Sequence, residues 1–179
     1  LERVRAAAQR MGHLIDDILE LSRVSRHAMR QERVDLSRLA AELMDEIRDG
    51  DLLRSVEVSI APDCTALGDP RLLRVLLQNL LENAWKYSAR QTEARIDFGS
   101  ERLDTGDTAF FVRDNGVGFD MKYAGRLFSP FQRLHSPEEY PGSGIGLATV
   151  ARIVHRHGGR VWVESAPGQG TTLRFTLGS

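Results

Sequence analysis

The sequence predicts an α/β fold, a two-layer sandwich with a mixed sheet covered by helices, preceded by one long helix of the kind that packs in bundles. Apolar residues recur at three- and four-residue steps in several separate segments, which indicates helices. Short segments of alternating apolar residues lie between them and indicate strands. Helices and strands that interleave in this way are typical of a helix layer packed on a sheet.

Composition and charge narrow the range of functions. The chain has 179 residues, 24 of them basic and 25 acidic, and its formal net charge is −1. Proteins that bind nucleic acid as their main partner usually carry a clear basic excess, so this class is disfavoured. The single cysteine, Cys64, excludes an intramolecular disulfide framework and a cysteine-based zinc cage.

The ends of the chain suggest part of a longer protein. The sequence has no initiator Met, no basic-then-apolar leader and no apolar run long enough to cross a bilayer. Its length suits one ordinary domain plus a short attachment. We therefore expect a cytoplasmic fragment, with any membrane anchor of the full-length protein outside these residues.

Residues 1–33 are predicted to form one amphipathic helix. Its apolar stripe follows the spacing of a coiled coil or helical bundle and consists of Val4, Ala7, Met11, Leu14, Ile18 and Leu21. Ile15 and Val24 widen the stripe beyond a two-stranded seam, which favours a bundle. Because a single helix cannot bury such a stripe alone, the segment needs either a partner helix or a packing place on its own domain.

Two further helices and a strand come next. Asp35 is a suitable N-cap for a helix whose apolar residues are Leu36, Leu39, Leu43, Met44 and Ile47. A strand is predicted over Val56–Ile60. Asp69 and Pro70 then supply a cap and a first-turn proline for a helix that runs to about Tyr87.

The second half of the chain alternates strands with one more helix. Strands are predicted at residues 94–98, 109–112, 161–163 and 173–177. A glycine-rich region leads to a helix that begins at Gly146, runs to His157 and is ended by Gly158 and Gly159. The last two strands form a predicted hairpin around residues 167–170.

The helix over residues 72–87 has two unlike faces. Its core stripe consists of Leu73, Leu76, Leu77, Leu80 and Ala84. Asn79, Glu82, Asn83 and Lys86 fall at i, i+3, i+4 and i+7, so they share the other face. Carboxamides, a carboxylate and an ammonium in one row can coordinate a hard divalent cation and contact phosphate oxygens. On this row alone, a merely solvated helix face remains the alternative.

Two glycine-rich segments indicate a phosphate ligand. The first, residues 114–119, follows a predicted strand, and the second, residues 142–148, opens a helix. Glycines at a helix start let the backbone approach a phosphate, and the free N–H groups there favour negative charge. The glycine spacing, without an acidic ribose ligand, disfavours a dinucleotide-binding fold, and the absence of GxxxxGK[ST] excludes a P-loop.

Five segments between about residues 69 and 172 resemble, in the same order, the sequence boxes of sensor histidine kinases of two-component systems. They are NLLENAWKY at 79–87 (N box), DNGVGF at 114–119 (first glycine box), LFSPFQR at 127–133 (phenylalanine box), GSGIGLA at 142–148 (second glycine box) and GQGTT at 168–172 (a short closing box). The wording around residues 131–142 is most similar to kinases attached to phytochrome or PAS-type sensors.

The resemblance implies a fold of the histidine kinase, gyrase and chaperone ATPase type in two parts. Residues 1–33 would be the second helix of the dimerisation and histidine-phosphotransfer hairpin, and residues 34–179 the catalytic ATP-binding domain. The first hairpin helix with its phosphoacceptor His is absent, and none of the five histidines replaces it. We expect these five to be ordinary surface or capping residues, and the fragment to be unable to phosphorylate itself.

The resemblance also implies roles for individual residues. Asn83 would be the principal Mg²⁺ ligand with Asn79 in the same cage, and Asp114 would accept a hydrogen bond from the adenine amino group. Lys86 and Tyr87 would contact the phosphates of ATP. The other expected nucleotide-binding residues are Gly116, Gly118, Phe119, Gly142, Ser143, Gly144, Ile145, Gly146, Leu147 and Thr172.

Among these residues the glycines at 116 and 118 would let the chain pass close to the base, and Thr172 would lie near the adenine. Residues 119–141 would form a mobile lid, with Phe128 and Phe131 as its apolar anchors. In the full-length protein we expect a homodimer through the bundle helix and a response regulator receiver domain as the partner.

The implied reaction is transfer of the γ-phosphoryl group of ATP to a histidine nitrogen, with positioning and charge neutralisation as its main source of catalysis. Asn79, Glu82 and Lys86 are the expected catalytic residues, and Glu82 would orient the acceptor imidazole or act as a weak base. One alternative is an ATP-hydrolysing clamp, which would need a Glu where this chain has Asn79. Another is a nucleotide-binding dimerisation module without chemistry.

Overall fold

The computed structural model describes residues 11, 12, 15, 16, 18, 19, 28–136, 139, 140 and 142–178. The strands are β1 (Glu32–Asp35), β2 (Val56–Ile60), β3 (Thr65–Gly68), β4 (Ala94–Arg102), β5 (Thr108–Asp114), β6 (Val161–Ser165) and β7 (Thr171–Thr176). The helices are α1 (Leu36–Asp49), α2 (Pro70–Tyr87), α3 (Gly146–Arg156) and a 3₁₀ helix (Met121–Arg126).

Within residues 1–33, six positions between 11 and 19 are described as helical and exposed, whereas residues 28–31 have no regular structure and Glu32 and Arg33 begin β1. The predicted helix over residues 1–33 is therefore wrong at its end, because residues 32–35 pair with β3. Met11, Ile15 and Ile18 belong to the predicted apolar stripe and are each about half exposed. The other stripe residues, and Val24, lie outside the described residues. None of the helices in the described part of the chain is long and apolar enough to cross a membrane.

Five strands form one mixed sheet in the order β2-β4-β5-β7-β6. The β2–β4 pair is parallel and the other three pairs are antiparallel. The inward side chains of this sheet, among them Ile96, Phe110 and Phe175, share one core with the buried leucines of α2. The predicted sandwich of a mixed sheet covered by helices is therefore confirmed.

The helix α2 begins and ends as predicted, because its signals are local. The Asp69 carboxylate accepts hydrogen bonds from the N–H groups of Arg71 and Leu72, and Pro70 occupies the first turn. The predicted core stripe is buried throughout, at 2% exposure or less. The cap of α1 is also as predicted, since Asp35 accepts a hydrogen bond from the N–H of Arg38.

Two strands escaped the sequence prediction. β1 and β3 have four residues each and pair antiparallel, with Glu32 opposite Gly68 and Asp35 opposite Thr65. Neither strand has clear apolar alternation, and each pairs with a partner at least thirty residues away in the sequence. No local pattern therefore predicts them. β4 and β5 also extend further than predicted, because their hairpin pairs the polar residues Arg102 and Thr108.

Candidate functional site

A cavity of about 280 Å³ lies between the polar face of α2, the end of β5, the two glycine-rich segments and the segment that joins the 3₁₀ helix to α3. It brings most of the predicted site residues together. Those that line it are Asn79, Glu82, Asn83, Lys86, Tyr87, Asp114, Gly118, Phe119, Gly142, Ser143, Gly144, Gly146 and Leu147.

The carboxamides of α2 face the start of α3. Asn79 donates from Nδ2 to the carbonyl of Val75 at 2.8 Å. Its Oδ1 is directed at Gly146, where a Cβ would lie only 2.5 Å away. Asn83 is half-buried one turn further along, and no described residue hydrogen-bonds its side chain. Two carboxamide oxygens therefore remain available to a cation between α2 and α3.

These donors fit a magnesium ion that is also held by phosphates. The described residues contain no cluster of three or more His, Cys, Asp or Glu side chains that could hold a metal. Mg²⁺ usually keeps several waters and is bound through few protein ligands plus substrate phosphates. Asn79 and Asn83 suit that role, whereas they could not form a complete cage for a metal on their own.

Glu82 lies at the outer edge of the cavity. Its side chain is exposed and accepts a hydrogen bond from Gln78 Nε2 at 2.9 Å. The carboxylate adjoins the Lys86 ammonium electrostatically but stays in contact with solvent. An incoming group could therefore reach it from outside the cavity.

Lys86 places a half-buried cation beside the lid. The pKa of this ammonium is lowered to about 8, chiefly by burial and also by the nearby Arg133 guanidinium, while Glu82 opposes both effects. Its Nζ lies 4.4 Å from the centroid of the Tyr87 ring, and a Cβ on Gly142 would be 3.2 Å from it. A phosphate bound in the cavity would stabilise the charged ammonium and would therefore oppose the effect of burial on its pKa.

Asp114 is the buried carboxylate at the floor of the cavity. Burial raises its pKa to about 6, although the N–H groups of Gly116 and Thr171 hydrogen-bond the carboxylate and lower the pKa. The bond from the Gly116 N–H to Oδ1 is 2.8 Å long. A buried acceptor at the end of a strand can select a ligand that carries an N–H donor.

The first glycine-rich segment is shaped mainly by backbone packing. Gly118 has a φ of +59°, and a Cβ there would overlap the carbonyl oxygen of Ala166. A Cβ on Gly116 would overlap the carbonyl oxygen of Tyr87. Gly118 lines the cavity but Gly116 does not. Gly116 therefore joins this segment to the end of α2, in contrast to the predicted approach to a base.

The second glycine-rich segment presents the start of α3 to the cavity. Gly144 has a φ of +77°, and no side chain caps the start of α3. The N–H groups of the first turn of a helix lack intrahelical partners, so this end can receive an anion. Ile145 differs from the prediction, because its side chain is 1% exposed and belongs to the interior, so it does not line the cavity.

Thr172 also differs from the prediction. It does not line the cavity, and its hydroxyl accepts a hydrogen bond from Arg113 Nε at 3.2 Å on the other face of the sheet. Its neighbour Thr171 lies opposite Asp114 in the β5–β7 register and lines the cavity. Because side chains alternate along a strand, a shift of one residue exchanges the two faces.

The described residues of the predicted lid (119–136, 139 and 140) border the cavity with few buried side chains. Phe128 packs against the core, as predicted, but Phe131 is 60% exposed and its φ is +63°. Phe131 is therefore not an apolar anchor. Its backbone N–H donates to the carbonyl of Gly144 at 2.9 Å, and this bond attaches the lid to the second glycine-rich segment.

Sequence reasoning missed several lid residues that line the cavity, namely Gln132, Arg133, Leu134 and His135. Arg133 donates to the carbonyls of Gly142 and Tyr140 at 2.5 and 2.6 Å, so it holds the loop around the cavity mouth. A cation that ends the phenylalanine box, nine residues before the second glycine-rich segment, is the signal that could have indicated this role.

Three rings hold the end of the lid against α2. The ring centroids of Tyr87, His135 and Tyr140 lie 5.1–5.5 Å apart, within the range of favourable aromatic pairs. Outside them, Arg90 stacks on Tyr140 and forms an ion pair with Glu139 at 3.1 Å.

His135 therefore differs from the surface or capping role expected of the histidines, because it packs between two rings and lines the cavity. His13 and His27 lie outside the described residues. His157 is the buried C-cap of α3.

Comparison with known proteins finds similarity to histidine kinases along most of the chain, in agreement with the resemblance of the sequence. Residues 68–179 match the family described as "Histidine kinase-, DNA gyrase B-, and HSP90-like ATPase". Cyanobacterial phytochrome A from Nostoc sp. is 36% identical over 167 residues, which is 93% of this chain and 22% of the phytochrome. The methanogenesis regulatory histidine kinase FilI from Methanothrix harundinacea is 36% identical over 178 residues, 99% of this chain and 20% of FilI.

The chain thus spans about a fifth of the length of these two relatives. Among solved structures, the mycobacterial sensor histidine kinase MprB is similar with a TM-score of 0.69 and 28% identity, over 83% of this chain and 97% of MprB. The structure of full-length ShkA in complex with AMPPNP is similar with a TM-score of 0.78 and 25% identity, over 98% of this chain and 37% of ShkA.

Proposed function

This chain belongs to the family of histidine kinase-, DNA gyrase B- and HSP90-like ATPases, and we propose that it is the catalytic ATP-binding core of a two-component sensor histidine kinase. The observation that carries the proposal is the cavity itself. It gathers the polar face of α2, the Asp114 carboxylate and the uncapped start of α3 around one space. These are a metal and phosphate face, a base-selective acceptor and an anion site.

The phosphate end of the nucleotide would lie between α2 and α3. Asn83 and Asn79 would hold Mg²⁺ together with phosphate oxygens, since both side chains line this space and the Oδ1 of Asn79 is directed at the start of α3. The bound ion supplies neutralisation of the charge that develops on the transferred phosphoryl group. Lys86 adds a second positive charge, and the N–H groups at Gly144, Gly146 and Leu147 add fixed dipoles.

The adenine would bind over Asp114. Its amino group carries the N–H donor that a buried carboxylate requires, and Gly118 and Thr171 leave room beside that carboxylate. An ionised Asp114 accepts this hydrogen bond, whereas a protonated one does so poorly. The proposed base selectivity therefore depends on the protonation state of a single residue.

The proposed reaction transfers the γ-phosphoryl group to a histidine of the dimerisation hairpin. An imidazole nitrogen bonds to the γ-phosphorus, the bond from that phosphorus to the bridging oxygen breaks, and ADP leaves. The imidazole gives its proton to solvent or to Glu82, which lies exposed at the rim of the cavity. Positioning supplies most of the catalysis in such transfers, so no strong base is needed.

The Glu82 role has its own test. If Glu82 orients or deprotonates the acceptor imidazole, the substitution Glu82→Gln should slow phosphotransfer while leaving the affinity for Mg-ATP close to that of the wild type. An unchanged transfer rate at saturating acceptor and nucleotide would remove Glu82 from the mechanism and leave positioning by the cavity as the remaining source of catalysis.

Residues 1–33 would contribute to dimerisation in the full-length protein. Their exposed apolar side chains at 11, 15, 18 and 19 suit the second helix of the phosphotransfer hairpin. The catalytic domain would then begin before residue 34, because β1 (Glu32–Asp35) pairs with β3 and the N–H of Arg30 bonds Asp69. The receiver domain of a response regulator would take the phosphoryl group from the hairpin histidine onto an Asp.

Hydrolysis of ATP to drive a clamp is the second candidate function. Related ATPases use a Glu to activate water, and this chain has Asn79 at the matching place with its Nδ2 already bonded to Val75. A carboxamide cannot take a proton from water, so we favour transfer to histidine. Rapid steady-state ATP turnover without any histidine acceptor would reverse this preference.

The proposed function is tested by labelling in trans. The chain is mixed with Mg-ATP labelled at the γ-phosphate and a separately made acceptor hairpin from a histidine kinase, and acid-labile label on the hairpin is measured. We expect labelling by the wild type, little by Asn83→Ala, and none on the chain alone. Equal labelling by both proteins would contradict the metal assignment, and label on the chain alone would contradict the expected inability to autophosphorylate.

A further inference from the structure

Asp69 lies where four segments of the chain meet, at the end of α2 that faces away from the nucleotide cavity. It is 1% exposed. Each of its polar groups has a hydrogen-bond partner. The carbonyl accepts from the Leu73 N–H at 2.9 Å within α2, and the partners of the carboxylate and the N–H lie in other segments as well. A helix cap needs a single acceptor oxygen, which an exposed serine can provide. The remaining contacts of Asp69 therefore call for a different explanation.

The two carboxylate oxygens of Asp69 bind different segments. Oδ1 caps α2 by accepting from the N–H groups of Arg71 and Leu72 at 3.0 and 3.4 Å. Oδ2 accepts from the backbone N–H of Arg30 at 3.1 Å and from the Arg71 guanidinium at 3.3 Å. Arg30 belongs to the segment that leads into β1. These bonds lower the pKa of Asp69 to about 2 although burial opposes them, so the carboxylate is ionised at neutral pH.

The backbone of Asp69 reaches the far end of α3. Its N–H donates to Nε2 of His157 at 3.0 Å, and Nδ1 of the same ring lies 2.8 Å from the carbonyl of Ile153. Nδ1 must carry the proton in this arrangement. The ring packs so closely against β3 that a Cβ on Gly68 would lie 2.9 Å from it. The carbonyl of His157 accepts from the Gly178 N–H at 2.7 Å.

These contacts join α2 and α3 at one end, and the cavity joins them at the other. The two helices run antiparallel, with Asp69 bonded to His157 and Asn79 facing Gly146. Ten residues of helix separate Asp69 from Asn79, which is about 15 Å at the usual rise per residue. A nucleotide between Asn79, Asn83 and the start of α3 would therefore contact the same two helices that Asp69 and His157 join at the opposite end.

We propose that Asp69 is a positioning residue that couples the segment at Arg30 to the α2–α3 helix pair and, through that pair, to the nucleotide site. The inference rests on the proposed function, because nucleotide is one of the two coupled events. Coupling between two sites is reciprocal, so nucleotide bound at one end must stabilise the Arg30–Asp69 bond at the other.

Hydrogen exchange of the whole chain tests the coupling. The exchange rate of the peptide over residues 28–34 is measured with and without saturating Mg-ATP, whose binding is followed separately by calorimetry. In the wild type we expect nucleotide to slow this exchange by at least about fivefold, the lower end of typical allosteric coupling. The measured peptide contains no residue of the cavity, so direct shielding by the nucleotide cannot produce the effect.

Two substitutions remove the Arg30 bond from its opposite sides. Asp69→Asn keeps one oxygen for the α2 cap and replaces the other with an NH₂ group that cannot accept from Arg30. Arg30→Pro removes the N–H itself and leaves Asp69 unchanged. Both should lose the response of residues 28–34, and both should bind Mg-ATP about fivefold more weakly than the wild type, because a reciprocal coupling that is lost at one end is lost at the other.

Asp35→Asn is the matched control. Asp35 caps α1 through the N–H of Arg38 in the same way, but it is exposed and does not contact Arg30. It should keep the full response. A response that persists in both substituted proteins, or one that is missing in a wild type that binds Mg-ATP, would overturn the coupling and leave the proposed function standing. A wild type that does not bind Mg-ATP would overturn the proposed function and the coupling together.

Discussion

The two walls of the cavity are built in opposite ways. The wall formed by α2 buries seven side chains on one face, Leu73, Leu76, Leu77, Leu80, Leu81, Ala84 and Trp85, and presents its polar row from the other. In the described part of the lid only Tyr140 is buried, and the 3₁₀ helix within it buries no side chain. One wall is fixed by the core and the other by a few bonds and ring contacts.

This difference assigns separate tasks to the two walls. The proposed metal and phosphate ligands of α2 are positioned before any ligand binds, because apolar packing behind them sets the helix. The lid is attached through the Phe131–Gly144 and Arg133–Gly142 bonds and the ring contacts of Tyr87, which are small in energy and close to the cavity. A pre-positioned wall lowers the entropic cost of binding, while a lightly attached wall lets the nucleotide enter.

The largest contrast should appear in stability. Leu77→Ala removes a fully buried side chain of the helix wall and should lower the free energy of unfolding by about 2–5 kcal/mol. Phe131→Ala removes an exposed ring of the lid and should change it by less than about 0.5 kcal/mol. Urea denaturation followed by circular dichroism measures both. Similar losses in the two proteins would show that the lid shares the core.

Acid should weaken nucleotide binding through Asp114. As its pKa is about 6, the carboxylate becomes protonated between pH 7 and 5. The affinity for Mg-ADP should then fall about tenfold over that interval. Asp114→Asn should bind more weakly and show a much flatter pH profile. Titration calorimetry of both proteins checks this, and parallel profiles would exclude Asp114 as the titrating group.

The same residue makes stability move in the opposite direction. The folded pKa of Asp114 lies above the ordinary value of 3.8, so the folded state binds the proton more tightly than the unfolded state. Its contribution to stability is fully present below pH 3.8 and is lost as the pH rises through about 6. Comparing wild type with Asp114→Asn isolates this contribution from other carboxylates.

Alkali should weaken binding through Lys86 by a smaller factor. The pKa of its ammonium is about 8, so the free protein loses this charge between pH 7 and 9. A bound phosphate favours the charged form, and we expect a loss of only about fivefold in Mg-ATP affinity. Lys86→Arg keeps its charge at every pH used and should give a flat profile. A profile with the same slope would place the titrating group elsewhere.

The smallest effect should come from the lid ring Tyr140. No described residue hydrogen-bonds its buried hydroxyl, so Tyr140→Phe removes a polar group that gains nothing from burial. The free energy of unfolding should rise by at most about 1 kcal/mol, with Mg-ATP affinity unchanged. Thermal unfolding with and without nucleotide measures this. A clear destabilisation would show that the hydroxyl has a partner that sequence and contacts do not reveal.

Sequence reasoning was strongest where the physics is local. One helix, α2, contains three features that were predicted: the Asp69 cap, the Leu73–Ala84 stripe and the polar row from Asn79 to Lys86. Periodicity within a helix is enough to predict which face each residue takes. Sequence reasoning failed where the pairing of strands decides the structure. β1 and β3 form only through each other, and Thr171 replaces Thr172 in the cavity because sheet register sets the face.

Other parts of the site depend on contacts that no local pattern encodes. Gly116 was expected to approach a base, but it packs on the Tyr87 carbonyl at the end of α2. Phe131 was expected to anchor the lid and is exposed, while Arg133 and the Tyr87–His135–Tyr140 rings hold it. Asp69 bonds to Arg30, which is 39 positions away in the sequence, and to His157, which is 88 positions away. No local sequence pattern can predict contacts over such separations.

Calorimetric titration with ATP tests whether α2 holds magnesium and phosphate in a preformed wall. Wild type, Asn83→Ala and the exposed control Gln78→Ala are each titrated in Mg²⁺ and in EDTA. We predict that Asn83→Ala lowers affinity about 100-fold in Mg²⁺, the upper range for a weakened metal site, and leaves the EDTA value unchanged. Equal losses in both conditions, or none in Mg²⁺, would contradict the account.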